Sequence, residues 1–104
     1  MTYQVQLVYV TFSDHTEAKK MIHDMISTKL IACGNIVPIE SLYLWNGVIE
    51  NDNELVVNMK TIPEKFTAVE QYILEKHSYE TPCILTWPVQ ASKAYYEWIN
   101  TSVK

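Results

Sequence analysis

The dipeptide Asn46-Gly47 stands between apolar residues and is the strongest short hairpin signal in this 104-residue sequence. The arm that returns from it, residues 48–60, contains 13 residues and would be about 43 Å long if extended throughout. A domain of this size has a radius of gyration of only about 13 Å. The hairpin must therefore bend sharply or project beyond its own core. Because an isolated hairpin is marginally stable in water, pairing with another subunit is the simplest way to bury its rings, Tyr43 and Trp45.

A strand and a helix precede the hairpin. Residues 3–12 alternate polar and apolar side chains, and their second face becomes apolar toward its end, which predicts a central strand. Apolar residues then recur at helical spacing over about residues 14–29. Asp14 and Glu17 form a capping-box pattern at the start of this segment, so we expect a helix that begins there.

The middle of the chain contains a second extended segment and a second helix. Residues 30–45 form the outgoing arm of the hairpin, in which Pro38 indicates a bulge or an edge strand. Residues 61–77 have helical spacing, and Thr61 with Glu64 forms another capping-box pattern. The sequence therefore predicts that the second helix starts directly after the returning arm.

The last two elements complete a recognisable order. Residues 83–89 are a short apolar strand, and residues 91–104 have helical spacing with Ser92 as the expected N-cap. The order β-α-β-β-α-β-α predicts an α+β protein of one domain, residues 1–104. It is the ferredoxin-like, split βαβ sandwich with an added C-terminal helix.

Charge and hydropathy exclude several classes of partner. The net charge is −4 and no run of lysine or arginine occurs, so we expect neither nucleic acid nor an anionic membrane surface as a partner. No apolar run approaches 18 residues, which predicts that no segment spans a membrane. The N-terminus has no basic region and is typical of a strand rather than a signal peptide, so we expect a cytoplasmic protein.

Motifs for organic cofactors and for hydrolysis are missing from the sequence. The two glycines are too few for a dinucleotide or phosphate loop, and neither CxxC, HExxH nor GxSxG occurs. We therefore expect no organic cofactor and no enzymatic activity. General acid–base catalysis by His77 and Tyr79 is the least favoured of three hypotheses, because no activated nucleophile accompanies them.

The segment HSYETPCIL, residues 77–85, contains several polar side chains directly before and at the start of a predicted strand. His77 and Cys83 are six positions apart across a proline, and Cys33 could approach if its strand lies beside the last one. Thiolate and imidazole are good ligands for copper and zinc, so these three side chains are candidate metal ligands. The structural alternative is that both cysteines are small buried hydrophobes.

Four segments together resemble the CutA, or divalent-cation tolerance, proteins. They are KLIACGNI (29–36), SLYLWNGVIENDNELVVNMKT (41–61), HSYETP (77–82) and YYEWI (95–99). The resemblance implies a ferredoxin-like fold close to that of PII signalling proteins. It also implies a homotrimer joined through extended hairpins and a link to tolerance of copper and other divalent cations. The positions that the resemblance assigns to a cleft between subunits are Tyr43, Trp45, Lys60, His77, Tyr79 and Trp98.

This chain departs from the family pattern at the loop and in the first strand. Cys83 follows the proline where a glutamate is usual, which would favour softer ions such as Cu(I) or mean that the site is lost. Val10 stands where some members carry a cysteine, and Ser78 replaces a common proline. The first hypothesis is accordingly a trimer that binds a divalent or soft metal ion near His77. The alternative is a PII-like trimer that binds a small anion or a protein partner in the same cleft, where Lys60 would matter.

Overall fold

The computed structural model describes residues 2–104, which form four strands, three α-helices and one 3-10 turn. In chain order they are β1 (Gln4–Phe12), α1 (His15–Ser27), β2 (Cys33–Trp45), β3 (Val48–Thr61), the 3-10 turn (Pro63–Lys65), α2 (Phe66–Lys76), β4 (Ile84–Gln90) and α3 (Lys93–Ser102). The strands form one antiparallel sheet in the order β2-β3-β1-β4, with β1 in its interior. The predicted ferredoxin-like fold, its central first strand and its added C-terminal helix are confirmed.

The two faces of the sheet are covered unequally. Helices α1 and α2 pack on one face, which we call the helix face. Its core consists of Val8, Val10, Phe12, Ala18, Met21, Ile22, Met25, Ile31, Val57, Met59, Val69 and Ile73. On the other face, which we call the open face, α3 covers only one end of the sheet through Ile99 and Val103, which cluster with Val5 and Ala32. On the rest of the open face, residues 2–104 provide no further packed layer.

Two residue choices in β2 and its turn follow from backbone geometry. Asn46 and Gly47 adopt φ values of 50° and 79°, so the predicted tight turn is present and uses residues that tolerate positive φ. Gly34 lies under α1, and a Cβ atom at this position would be 3.1 Å from the Ile22 side chain. The missing side chain therefore lets α1 approach the sheet closely.

The hairpin projects as its length predicts. The molecule measures 47 × 26 × 21 Å, so it is about twice as long as it is wide. At the tip, Leu42, Leu44 and Ile49 are 65%, 70% and 75% exposed. The tip therefore presents apolar side chains that the chain does not bury, and exposed apolar surface of this kind is typical of association sites.

The start of the second helix differs from the prediction. Thr61 does not cap a helix, because it ends β3, is fully buried and donates its hydroxyl hydrogen bond to the Leu30 carbonyl at 2.7 Å. Pro63–Lys65 then forms the 3-10 turn, and α2 begins only at Phe66. The other two predicted caps are confirmed, since Asp14 and Ser92 accept hydrogen bonds from backbone groups of α1 and α3.

Replacing the buried Thr61 by valine should lower the free energy of unfolding by about 1–2 kcal/mol, because the part-buried Leu30 carbonyl loses its donor while the volume stays nearly constant. Thr61→Ser retains the hydroxyl and is the control, with a smaller loss. Urea denaturation at one fixed protein concentration measures both. A valine variant as stable as the wild type would contradict the assigned role of this hydrogen bond.

Candidate functional site

A cavity of about 480 Å³ opens on the open face between the hairpin and the segment that joins α2 to β4. We call it the hairpin cavity. Its lining residues are Thr11, Ser41, Leu42, Tyr43, Trp45, Glu54, Tyr79, Glu80, Thr81 and Cys83. Four of the predicted site residues are therefore brought together here: Tyr43, Trp45, Tyr79 and Cys83.

Strand alternation places the hairpin wall of this cavity. Tyr43 and Trp45 are two positions apart on β2, so both side chains lie on the same side of the strand. Glu54 is paired with Ile39 in the β2–β3 register and lies on that side as well. The opposite wall is the 79–83 segment, whose position depends on how the end of α2 is held.

His77 supports that segment from the helix-face side of the sheet. The residue is 9% exposed, and its ring stacks on Phe12 with centroids 4.5 Å apart. Its Nε2 lies 2.8 Å from the Thr11 carbonyl oxygen, and its Nδ1 accepts a hydrogen bond from the Tyr79 backbone N–H at 3.0 Å. Because a carbonyl can only accept, Nε2 carries the hydrogen, and the neutral Nε2–H tautomer satisfies both contacts. Both ring nitrogens are thus used within the chain.

Helix α1 provides a second anchor for the segment. The Glu17 carboxylate accepts hydrogen bonds from the Ser78 backbone N–H at 2.8 Å and from the Ser78 hydroxyl at 2.9 Å. The serine that replaces the common proline is therefore tied to α1 through two hydrogen bonds. Together with His77, this contact fixes the wall of the hairpin cavity that carries Tyr79.

Negative charge dominates the cavity. Burial, followed by the nearby Glu54 carboxylate, raises the pKa of the Cys83 thiol. Burial also raises the pKa of Tyr79, and Glu54 and Glu17 add to this effect. The hydrogen bond that Tyr43 donates to the Asp52 carboxylate raises the pKa of Tyr43 to about 12. Burial is thus the larger cause of the raised pKa of Cys83 and Tyr79, and nearby carboxylates add to it, as they do at Tyr43.

A second group of predicted residues lies at the end of the open face that α3 covers. The Cys33 sulfur is 3.5 Å from the Tyr95 hydroxyl, and the Tyr95 ring stacks on Trp98 with centroids 5.6 Å apart. The hydrogen bond with Cys33, and then burial, raise the pKa of Tyr95 to about 12. Lys60 pairs with Cys33 across β2 and β3 and donates a hydrogen bond to Asn35.

The two groups do not meet within one protomer. Lys60 is opposite Leu7 in the β1–β3 register, and Leu7 is four residues, about 13 Å, from Thr11 in the hairpin cavity. Cys33 and Cys83 belong to opposite edges of a four-stranded sheet, three strand spacings or about 14 Å apart. No group of three or more His, Cys, Asp or Glu side chains that could hold a metal ion occurs among residues 2–104. The metal-ligand assignment of His77, Cys83 and Cys33 stays a prediction, and a single protomer does not assemble it.

Glu54 and Glu17 are the site residues that sequence reasoning missed. Glu54 lies in the polar stretch ENDNE. Because successive side chains of a strand point to opposite faces, Glu50, Asp52 and Glu54 are expected on one face and the asparagines between them on the other. That signal was available. The contact of Glu17 with Ser78 joins residues 61 positions apart, and no local pattern reveals such a contact.

The family described as CutA1 divalent ion tolerance protein matches residues 6–102. The chain belongs to this family. It is 37% identical over 98 residues to the divalent-cation tolerance protein CutA of Archaeoglobus fulgidus, covering 93% of this chain and 96% of that protein. It is 34% identical over 100 residues to a chloroplastic CutA 1 of Oryza sativa, covering 94% of this chain but only 56% of the rice protein.

Solved structures of the CutA family have the same fold. The periplasmic divalent cation tolerance protein CutA from Archaeoglobus fulgidus superposes with a TM-score of 0.93 at 36% identity, over 96% of this chain and 99% of that one. CutA from Synechococcus elongatus gives a TM-score of 0.94 at 32% identity, over 99% of this chain and 93% of that one. The resemblance found in the sequence is thus confirmed, and family membership supports a role in metal-ion tolerance.

The compartment is not settled by the family. The relatives include a structure described as periplasmic and plant proteins described as chloroplastic, so the cytoplasmic location stays a prediction. Within residues 2–104, no helix has the length and apolar character needed to cross a membrane.

Replacing Glu54 by glutamine should lower the pKa of Cys83, because removal of the negative charge stabilises the thiolate. The pH profile of iodoacetamide alkylation, measured in a Cys33→Ser background, should shift to lower pH, with faster alkylation at pH 8. Glu50→Gln is the matched control, since it removes the same charge four residues farther along β3. An unchanged profile in Glu54→Gln would show that Glu54 does not influence the thiol.

Proposed function

We propose that the chain acts in metal-ion tolerance as a homotrimer that binds a soft metal ion, such as copper(I), in the hairpin cavity. The observation that carries this proposal is the placement of the Cys83 thiol and the Glu54 carboxylate in one cavity. Thiolate selects soft ions, and a carboxylate adds charge that favours any cation. A bound cation would offset the negative field that raises the pKa of Cys83, so metal binding would be coupled to release of the thiol proton.

In this proposal His77 positions the cavity wall and is not a ligand. Coordination through either ring nitrogen would cost the hydrogen bond to Thr11 or the one from Tyr79. The sequence pattern assigned the role of metal ligand to the imidazole. The proposal assigns it to Cys83 and Glu54, which line the cavity. His77 keeps Tyr79 in place beside them.

Two side chains make an incomplete metal site, and association of subunits would complete it. Cys33 lies on the same open face as Cys83 but in the other group of residues. A neighbouring subunit packed on this face would bring its own Cys33 group toward the hairpin cavity. The three-fold arrangement follows from the family resemblance, and the uncovered face and the projecting apolar tip support it.

Assembly should depend on the hairpin tip. Replacing the exposed Leu44 by glutamate would place a charge where the proposal buries an apolar side chain, and should weaken association by about 1.5–3 kcal/mol per subunit. Sedimentation velocity over a dilution series should show three subunits for the wild type and a shift toward one for Leu44→Glu.

Leu74→Glu is the matched control for this prediction. Leu74 is also exposed, but it lies on α2, away from the hairpin. The control variant should sediment as the wild type does. A wild type that sediments as a stable folded monomer would contradict the trimer, and with it the completed metal site.

Removal of the thiol should reduce metal affinity. In an anaerobic competition titration with a Cu(I) chelator, Cys83→Ser should bind more than about tenfold more weakly, which is the cost typical of losing even an outer partner of a metal site. Affinity of the wild type should rise with pH, because the thiol must lose its proton to bind.

Two further variants identify the ligand set. His77→Gln removes no ligand in this proposal and should retain most of the affinity. Lys19→Met, an exposed position on α1 and away from the open face, is the control for surface substitution. Unchanged affinity in Cys83→Ser, or loss of binding in a folded His77→Gln trimer, would contradict the assignment of the ligands.

The alternative is a trimer that binds a small anion or a protein partner beside Lys60. The observation that favours it is the grouping of this ammonium with Asn35 and the Tyr95–Trp98 ring pair. Because Lys60 lies outside the hairpin cavity, the two functions are separable. An anion that stabilises the wild type but not Lys60→Met would support the alternative without involving Cys83.

A further inference from the structure

We propose that residues 77–83 form a strap that controls entry to the hairpin cavity and that the contact between Glu17 and Ser78 is its latch, a role that rests on the trimer and the metal site proposed above. A neighbouring subunit on the open face would cover the mouth of the cavity, so a cation would need another way to reach Cys83. The strap is the wall of the cavity that is attached to α1, and α1 packs on the helix face, away from the proposed neighbour.

Both ends of the strap are fixed to the core. At the first end, the His77 N–H donates a hydrogen bond to a carbonyl of α2 at 2.8 Å, and the His77 ring stacks on the buried Phe12. At the other end, Cys83 directly precedes β4, whose first residue is paired with Val10 in the interior of the sheet. Opening of the strap therefore leaves the imidazole and the thiol in place and moves only the residues between them, 78–82.

Three hydrogen bonds hold the first part of this moving segment. The Glu17 carboxylate accepts two of them from Ser78, and Nδ1 of His77 accepts the third from the Tyr79 N–H. The two bonds to Glu17 are exposed to solvent on the side of α1, so water can replace them when the strap moves. Among residues 2–104, no salt bridge adds to these contacts at the strap. The latch is therefore the contact whose loss should open the strap most readily.

Opening of the strap would change access to the cavity without changing its proposed ligands. Tyr79, Glu80 and Thr81 line the cavity beside Cys83, so their displacement would open it toward α1 without separating two subunits. Cys83 adjoins β4 and Glu54 belongs to β3, and neither strand moves with the strap. Such a gate alters the rates at which a ligand enters and leaves and has little effect on its affinity at equilibrium.

Labelling of the thiol in the metal-free protein tests the gate. In a Cys33→Ser background, Glu17→Ala should speed alkylation of Cys83 by iodoacetamide about twofold to tenfold in the assembled protein, the factor that corresponds to the net loss of one hydrogen bond. In the Leu44→Glu monomer the open face is uncovered and the reagent reaches the thiol directly, so the same substitution should leave the rate unchanged. Equal acceleration in trimer and monomer, or none in the trimer, would overturn the proposal.

Matched variants locate the latch. Ser78→Ala removes one of the two hydrogen bonds and should speed labelling of the trimer less than Glu17→Ala does. The two substitutions together should be no faster than Glu17→Ala alone, because that change already removes both bonds. Glu64→Ala is the control, since it removes an exposed carboxylate from the 3-10 turn, and it should label as the wild type does. Additive effects of the two latch substitutions would show that Glu17 acts elsewhere and would overturn the assignment.

The kinetics of metal exchange separate the gate from the metal site. Stopped-flow transfer of Cu(I) from the trimer to a chelator should be faster in Glu17→Ala by about the factor found for labelling, while the affinity at equilibrium stays nearly unchanged. A loss of affinity with unchanged labelling would make Glu17 part of the metal site and would refute the gate. If Cys83→Ser retains the Cu(I) affinity of the wild type, the metal proposal fails while the labelling rates still decide the gate. A wild type that sediments as a monomer would refute the trimer and the gate together.

Discussion

A four-stranded sheet has two faces to cover, and this chain has enough helix to cover only one of them. Helices α1 and α2 bury the helix face around a dense apolar core, while α3 reaches only one end of the other face. The hairpin increases the imbalance, because its tip carries apolar residues beyond the reach of any helix. The open face and the cavity on it both follow from this shortage of covering structure.

The same shortage of covering helix explains how the polar side chains at the hairpin cavity are held in place. Polar groups at the hairpin cavity are held by contacts that come from the helix-covered side, namely the ring of His77 on Phe12 and the carboxylate of Glu17 on Ser78. Because these two contacts hold the 79–83 segment rigidly, Tyr79 and Cys83 keep their positions although no layer covers this wall of the cavity. Both nitrogens of the His77 imidazole accordingly take part in hydrogen bonds within the chain.

Much of the fold could be predicted from the sequence because its signals are local. Periodicity identified β1 and the α-helices, Asn46-Gly47 identified the turn and the two strands beside it, and a short apolar run identified β4. The Thr61 cap was wrong because a buried carbonyl, distant in sequence, competes for its hydroxyl. At the site, four of the residues that line the cavity were predicted, but the occupation of both His77 nitrogens and the role of Glu54 depend on contacts across the fold. No periodic pattern carries that information.

The two walls of the hairpin cavity come from segments that are far apart along the chain, residues 41–54 and residues 79–83. The unfolded chain cannot reproduce this arrangement, so any molecule that fits between the walls has affinity for the native state alone. Occupancy must then raise resistance to heat and denaturant in proportion to the logarithm of ligand concentration. If the proposed metal ion fills the cavity, its concentration sets part of the free energy of unfolding of the protein.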